Sequence, residues 1–263
     1  MGFQTWCAAH LAAHAYRVSI QPEDTWTYRD IHLGTEKAAE YERAYSSGFY
    51  ADEWDWFERP FLVRTFSRLR MRGAVEAADF ACGTGRVLRV AADVFATTFG
   101  LDISPDMLAA AAAASPTSRL VAVDASAGTL HEQFDVVSAF RFFLNAEDPL
   151  RHSGAEAMFE MLRPGGALVV NTHTQPWSPL GVTKVMRRVY GSRLRTLSAR
   201  SLCSLLRHAG FTIDSVTYHG LVPRMGDFYP GWYRAMHRWI DSRPVPRLLR
   251  PFAQSAIIVA HRP

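Results

Sequence analysis

From residue 74 onward, short β-prone runs alternate with amphipathic segments, and this alternation constrains the fold more than any other feature. Strands separated by helices favour a parallel sheet with helices on both faces, which is the doubly wound α/β class. Residues 1–73 lack this pattern and predict an aromatic-rich helical cap, which leaves residues 74–263 as the main domain. The predicted strands are Val75–Phe80, Thr97–Ile103, Arg119–Asp124, Phe134–Phe140, Ala167–Thr172, Phe211–Tyr218 and Ala256–His261.

Helix-capping signals fall between these strands. Ser104, Pro105 and Asp106 together predict the start of a helix over Met107–Ala114. Ser153–Glu156 has the form of a capping box and predicts a helix start ahead of Ala157–Leu162.

Composition and cysteine spacing exclude several classes of protein. With 48% hydrophobic and 21% charged residues, the chain is far from the composition of disordered proteins. Its three cysteines lie far apart, so we expect no disulfide framework, no structural zinc and no metal site. The longest apolar run, Met107–Ala114, is too short to cross a bilayer, and the first residues make a poor signal peptide. We therefore expect a cytoplasmic protein without stable membrane insertion.

Positive charge is concentrated in the last third of the chain. Residues 184–263 contain 14 Lys or Arg against three Asp or Glu, a net charge of +11. Such a field favours an anionic group on the acceptor or on something attached to it. RNA is a less favoured partner, because the sequence has no recognised RNA-binding appendage.

The segment Asp79–Arg86, with the sequence DFACGTGR, carries the most specific signal. It ends the first predicted strand and begins a helix, whose N-terminus offers unpaired N–H groups and a positive dipole end. Small residues at Ala81, Gly83 and Gly85 let the backbone approach a ligand closely. Leu88 stands where a nicotinamide-binding Rossmann domain has its third glycine, which disfavours that class.

Acidic residues also end the second and third predicted strands. Asp102 follows Gly85 by 17 residues, and an acid at this place can accept both hydroxyls of a ribose. Asp124 ends the third strand, as Asp79 ends the first. Open α/β sheets bind ligands at the carboxyl ends of their strands, so the three acids predict one binding crevice.

Together, in this order, these motifs resemble those of the class I S-adenosylmethionine-dependent methyltransferases over roughly residues 36–262. The resemblance implies a seven-stranded Rossmann-like sheet in the order 3-2-1-4-5-7-6, with the last strand antiparallel. It implies S-adenosylmethionine as the cofactor and in-line displacement as the mechanism. Asp79–Gly85 resembles the family's motif I, with Ala81 where the first glycine usually stands, and Leu162–Gly166 resembles the turn before the fifth strand.

The same resemblance implies cofactor-binding residues. Gly83 and Gly85 would lie under the methionine moiety, Asp79 would orient the loop and the amino end, and Asp102 would hold the ribose hydroxyls. The remaining implied contacts are Ile103 and Met107 against the adenine, Asp124 and Ala125 at its edge, Phe140 facing the methyl group, and Tyr41, which could instead only pack against the sheet edge.

A narrower resemblance bears on the acceptor. Phe140–Asn145, with the sequence FRFFLN, resembles a bacterial subgroup whose members act in glycan or natural-product pathways. We therefore expect a small or medium-sized acceptor that is methylated at oxygen. Arg141 and Asn145 could contact the substrate or support the loop. An Asn/Asp-Pro-Pro-aromatic tetrad, as found in amino-directed DNA methyltransferases, is missing after the fourth strand.

A hydroxyl acceptor benefits from a general base, for which His173 and His219 are the candidates at the ends of the fifth and sixth strands. For either one, a surface or hydrogen-bonding role stays open. Two other functions also stay open: a non-catalytic S-adenosylmethionine-binding partner in a heteromer, and an RNA methyltransferase that uses the basic last third.

Residues 220–254 are too long for a plain connection and predict an insertion. Within it, Gly231–Asp241 predicts an amphipathic helix with Trp232, Met236, Trp239 and Ile240 on one apolar face. We favour a lid over the acceptor, with Trp232 as a substrate contact, over plain packing or contact with an anionic membrane.

Overall fold

Seven strands form one sheet in this computed structural model, which describes residues 37–127, 132–189, 195–223 and 229–263. The first 36 residues of the predicted cap and residues 224–228 of the predicted insertion lie outside the described residues. The strands are β1 (Glu76–Phe80), β2 (Thr97–Asp102), β3 (Arg119–Ala122), β4 (Phe134–Ala139), β5 (Leu162–Thr172), β6 (Thr212–His219) and β7 (Ser255–His261).

The strand order confirms the predicted topology. It is β3-β2-β1-β4-β5-β7-β6, with β7 antiparallel to both β5 and β6 and the other pairs parallel. The order reverses between β1 and β4, so a crevice opens there at the carboxyl ends of the strands.

Helices cover both faces of the sheet. The α-helices of the described ranges are α1 (Lys37–Tyr45), α2 (Gly48–Glu53), α3 (Arg59–Met71), α4 (Arg86–Ala92), α5 (Pro105–Ala114), α6 (Phe142–Asn145), α7 (Asp148–Glu160), α8 (Pro179–Val189), α9 (Ala199–His208) and α10 (Gly231–Asp241). A π-helix over Trp54–Glu58 joins α2 to α3, and a 3₁₀ helix covers Arg247–Phe252.

The core lies on both sides of the strands because their side chains alternate between the two faces. Val137 belongs to the cluster that includes Met158 of α7. Its neighbour Val136 belongs to the other cluster, with Leu62 and Phe66 of α3. Helix α3 of the predicted cap therefore packs on the main sheet.

One predicted helix cap is confirmed, because the Ser104 hydroxyl caps α5 by accepting a 3.4 Å hydrogen bond from the N–H of Met107. Two other local predictions differ from the structure. The capping box at Ser153 is wrong, because α7 already begins at Asp148, with Pro149 in its first turn. The Ser153 hydroxyl instead donates to the carbonyl of Leu150, three residues earlier in the same helix. Strand β5 also begins five residues before its predicted start, with a bulge in its register at the Arg-Pro-Gly-Gly turn.

Candidate active site

A cleft opens at the carboxyl ends of β1, β2 and β4, with α1 on its other side. It encloses about 1130 Å³ of empty space, which includes its open mouth. Among the residues predicted for the site, those that line it are Tyr41, Asp79, Ala81, Gly83, Asp102, Ile103, Met107, Asp124, Ala125, Phe140, Arg141 and Asn145.

The loop after β1 adopts left-handed backbone conformations at three of its small residues. The φ angles of Ala81, Gly83 and Gly85 are +53°, +54° and +82°. A Cβ added at Gly85 would lie 3.2 Å from the backbone of Ala111 in α5, so glycine there lets α4 and α5 pack closely. A Cβ at Gly83 would meet nothing within 4 Å, because this residue borders the open cleft. Gly85 is thus needed for packing, whereas Gly83 leaves room for a ligand.

Asp102 holds this loop in place from the end of β2. Its Oδ2 accepts a 2.8 Å hydrogen bond from the N–H of Gly83. Its Oδ1 accepts a 2.9 Å hydrogen bond from the N–H of Ser104. Asp102 also lines the cleft, so its carboxylate is within reach of a bound ligand.

Asp79 is a buried carboxyl group beside the cleft. Burial raises its pKa to about 7, and the nearby Asp102 adds to this, although a hydrogen bond from Ser138 opposes it. That bond runs from the Ser138 hydroxyl to Asp79 Oδ1 over 2.6 Å. The charge of Asp79 therefore changes near neutral pH, and a cation beside it would favour the ionised form.

Arg141 projects into the cleft from the end of β4. Its backbone has a left-handed φ of +64°, and its N–H donates to Asn171 Oδ1 over 2.7 Å. Its Nη2 lies 3.0 Å from Glu58 Oε2 in a buried ion pair, and its Nη1 donates to the Tyr41 hydroxyl over 3.3 Å. The side-chain amide of Asn145 donates to the Arg141 carbonyl, which fixes the start of α6.

A second arginine, Arg86, stands next to this group. Its guanidinium lies 4.5 Å from the ring centre of Trp54 and 4.8 Å from that of Tyr45. Burial and the charge of Arg141 lower the pKa of Arg86. Its Nη1 is buried without a hydrogen-bond partner among the described residues, which leaves one donor for an anionic ligand.

Sequence reasoning missed Glu58 and Asn171. Both are buried and hold Arg141 in place, and the amide of Asn171 also donates to Glu58 over 3.2 Å. Asn171 lies in Val170–His173, a segment that also resembles the bacterial subgroup, but the resemblance gave it no role, and Glu58 stands in no motif.

The two candidate bases do not line the cleft. His219 is buried under Phe57, with ring centres 3.9 Å apart, and its Nδ1 lies 3.4 Å from Glu53 Oε1. His173 is partly buried just after β5, and its carbonyl accepts a 2.7 Å hydrogen bond from the Gln254 amide. A catalytic role for either histidine stays a prediction.

Helix α10 lies against the cap with its polar side inward. His237 stacks on Phe49 with ring centres 4.4 Å apart, and its Nε2 lies 2.9 Å from Asp241 Oδ2. Arg234 also pairs with Asp52 over 2.5 Å.

Most of the apolar face predicted for α10 lies at the surface of the protein. Trp232, Met236 and Trp239 are exposed, and Trp232 does not line the cleft. Closure of this segment as a lid stays a prediction.

The described ranges contain no group of three or more His, Cys, Asp or Glu side chains that could hold a metal ion. Among the same residues, no helix is both long enough and apolar enough to cross a membrane.

Residues 59–216, more than half of the chain, match the family model described as a methyltransferase domain. No curated protein matches the chain. The fold is similar to that of magnesium protoporphyrin IX methyltransferase (ChlM) from Synechocystis PCC 6803, with 17% identity, a TM-score of 0.62, and coverage of 89% of this chain and 97% of that one.

Two further solved structures share this fold. A possible histamine N-methyltransferase from Thermotoga maritima has 17% identity and a TM-score of 0.59, covering 86% of this chain and 95% of that one. The N-methyltransferase NodS from Bradyrhizobium japonicum WM9 has 14% identity and a TM-score of 0.53, covering 86% and 98%.

Proposed function

Since this chain belongs to the methyltransferase domain family, we propose that it transfers a methyl group from S-adenosylmethionine to an oxygen atom of a small or medium-sized acceptor in a glycan or natural-product pathway. The enzyme class and the cofactor follow from the family. The acceptor and the site roles below are the proposal. The observation that carries these roles is the hydrogen-bonded unit of Asp102 and the Gly83 loop at the switch point of the sheet.

The cleft fits the cofactor in three respects. Asp102 presents a carboxylate to the cleft, Gly83 leaves open space, and Arg86 has a buried donor without a partner among the described residues. In this proposal Arg86 pairs with the carboxylate of the amino-acid end, and Asp79 lies beside its ammonium. Ile103, Met107, Asp124 and Ala125 line the same cleft and would enclose the adenine.

The bound cofactor supplies a methyl group on a positively charged sulfur. The protein must align the acceptor with that methyl group and exclude water. Phe140 and Arg141 follow β4 and line the cleft, so in our proposal they form its acceptor side. The positive charge of Arg141 favours an acceptor that bears a carboxylate or phosphate.

One observation supports a small acceptor, and a second disfavours an amino group of DNA as the acceptor. The acceptors named for magnesium protoporphyrin IX methyltransferase and for the possible histamine N-methyltransferase are small molecules. The segment after β4 reads Phe140–Phe143, without the tetrad of amino-directed DNA methyltransferases.

His173 is the better candidate for a general base. It is only partly buried, whereas His219 is enclosed between Phe57 and Glu53.

The test is to incubate the protein with S-adenosylmethionine and libraries of hydroxylated, carboxylated and amino acceptors, and to measure S-adenosylhomocysteine. We expect turnover with an anionic hydroxylated acceptor, and loss of turnover in Asp102→Ala. Tight cofactor binding without turnover on any library would instead support the non-catalytic partner. Turnover on amines alone would contradict transfer to oxygen.

A further inference from the structure

Helix α10 exposes its apolar side and buries its polar side. Trp232 and Trp239 are 63% and 61% exposed, and Met236 between them is also exposed. On the opposite side His237 and Asp241 are buried and pair with each other. Exposed apolar stripes of this kind mark contact surfaces, because a monomer gains nothing by showing two tryptophans to water.

The exposed apolar side chains continue beyond α10. Leu248, on the 3₁₀ helix that follows, is 87% exposed. The Gln175 amide donates to the Ala253 carbonyl over 2.8 Å, which ties the end of this helix to the loop that carries the exposed Trp177. We call this set the apolar surface; its members are Trp177, Trp232, Met236, Trp239, Leu248 and Phe252.

The chain segment that carries most of the apolar surface exposes mainly positive charge. Residues 229–263 contain six arginines, and their single acid, Asp241, is buried against His237. Arg243 lies 3.7 Å from the ring centre of Trp239 and donates to its carbonyl over 2.9 Å. Arg238, Arg247 and Arg250 are exposed on the same stretch. This excess of arginine over acid favours an occupant that is both apolar and negatively charged.

We propose that the apolar surface binds an anionic lipid bilayer. Tryptophan and arginine side by side suit the membrane interface, where indole rings lie at the headgroup level and guanidinium groups meet phosphates. Leu248 and Met236 favour lipid over nucleic acid, because aliphatic side chains cannot stack on bases. A protein partner would have to combine an apolar face with a ring of acids, whereas an anionic bilayer has both properties everywhere on its surface.

Such binding would be peripheral. The apolar side of a helix that lies in the interface is buried only to the headgroup boundary, and affinity depends on both apolar area and anionic lipid. The absence of a membrane-crossing helix from the described residues agrees with a protein that lies on the bilayer. The enzyme would then meet an amphiphilic acceptor at the membrane surface.

The test is flotation of the full chain with vesicles of phosphatidylcholine alone or mixed with phosphatidylglycerol. We expect binding only to the mixed vesicles, weaker at high salt, with a blue shift of tryptophan fluorescence. The variant Trp232→Ala/Trp239→Ala/Leu248→Ala should bind the mixed vesicles at least roughly tenfold more weakly than the unchanged protein. Met71→Ala, which removes a 79% exposed apolar side chain from α3, should bind as the unchanged protein does.

Charge is tested separately. Arg243→Glu/Arg247→Glu should abolish binding to the mixed vesicles, whereas Arg64→Glu/Arg70→Glu on exposed positions of α3 should retain most of it. S-adenosylmethionine affinity should be unchanged in all four variants, which shows that they are folded.

Three outcomes would overturn the proposal. They are no binding to phosphatidylglycerol vesicles, equal binding by the triple variant, and a dimer in light scattering that the triple variant converts to a monomer. The last would assign the surface to a second copy of the chain. Binding of single-stranded RNA in place of vesicles would assign it to nucleic acid.

Discussion

The carboxylate of Asp102 accepts a 2.8 Å hydrogen bond from the backbone N–H of Gly83. The two residues belong to different strand ends: Asp102 is the last residue of β2, and Gly83 lies in the loop after β1. In the proposed site, one acid would therefore both hold the loop under the methionine end and accept ribose hydroxyls. A change at Asp102 should affect two parts of the proposed cofactor site together.

Asp102→Ala should weaken S-adenosylmethionine binding. It leaves the bound ribose hydroxyls without their proposed acceptor, at about 1–3 kcal/mol, or roughly 5- to 160-fold in affinity, and it also removes the acceptor for the N–H groups of Gly83 and Ser104. Titration calorimetry measures this directly. Asp106→Ala, a nearby acid that does not line the cleft, should leave the affinity within about twofold. Unchanged affinity in Asp102→Ala would contradict the assignment.

The pH dependence of cofactor binding should report Asp79. Its pKa of about 7 lies far above its ordinary value because the carboxyl group is buried, so it is largely protonated at pH 6 and ionised at pH 8. The proposed contact with the cofactor's ammonium needs the ionised form, so binding should release a proton and weaken by roughly tenfold from pH 8 to pH 6.

Calorimetry in buffers of different ionisation enthalpy would count that proton. Asp79→Asn should bind weakly and without this pH dependence. The raised pKa also means that the folded state holds more protons than the unfolded one between pH 3.8 and about 7, so the contribution of Asp79 to stability falls as pH rises through that range. A flat affinity profile in the unchanged protein would contradict this role.

The sequence predicts the positions of the strands and most of the residues that line the cleft because those signals are local, whereas the strand order follows from the resemblance to a known family. Glycines at Gly83 and Gly85, and acids such as Asp102 at strand ends, each report their own backbone position. The partners of Arg141 could not be found in this way. Glu58 lies 83 residues away and Asn171 lies 30 residues away, and no signal in the sequence pairs either of them with Arg141.

The sequence could not predict which side of α10 is buried, for a different reason. Periodicity identifies which side of a helix is apolar, but it does not say that this side is buried. Here His237 and Asp241 satisfy each other inside the protein, and Phe49 covers the imidazole. The side of α10 that carries this pair is buried, and the side that carries Trp232 and Trp239 is at the surface.

The buried pair of Arg141 and Glu58 should matter more for stability than exposed pairs do. Glu58→Gln keeps the shape but leaves a buried guanidinium without its counter-charge, so we expect a loss of about 1–3 kcal/mol in the free energy of unfolding. Asp148→Asn breaks the pair with Arg151 at a largely exposed carboxylate and should cost less than about 1 kcal/mol. Urea unfolding compares the two.

A double variant separates the pair from its surroundings. Glu58→Gln/Arg141→Met should be less destabilised than the sum of its single variants, because no buried charge remains unpaired. Additive losses would show that the two side chains do not depend on each other.

Two substitutions in the loop after β1 should act in opposite directions. Ala81 holds a left-handed φ of +53°, which costs an L-residue about 1–2 kcal/mol, so Ala81→Gly should relieve that strain. Glycine also increases the conformational entropy of the unfolded chain, which offsets about 0.4–1 kcal/mol of this gain. The free energy of unfolding of Ala81→Gly should therefore rise by roughly 0.5–1 kcal/mol. At Gly85 the φ is +82° and a new Cβ would press on Ala111, so Gly85→Ala should destabilise by more than about 1 kcal/mol.

Gly83→Ala separates packing from ligand space in the same loop. Its φ of +54° imposes a similar strain, but its Cβ would meet no protein atom within 4 Å. We therefore expect a stability loss of about 1–2 kcal/mol. We also expect Gly83→Ala to bind S-adenosylmethionine at least roughly tenfold more weakly than Ala81→Gly does. Thermal unfolding with and without the cofactor measures both quantities on one sample. If Gly83→Ala lost stability but bound the cofactor as tightly as the unchanged protein, the open space beside Gly83 would not be where the cofactor lies.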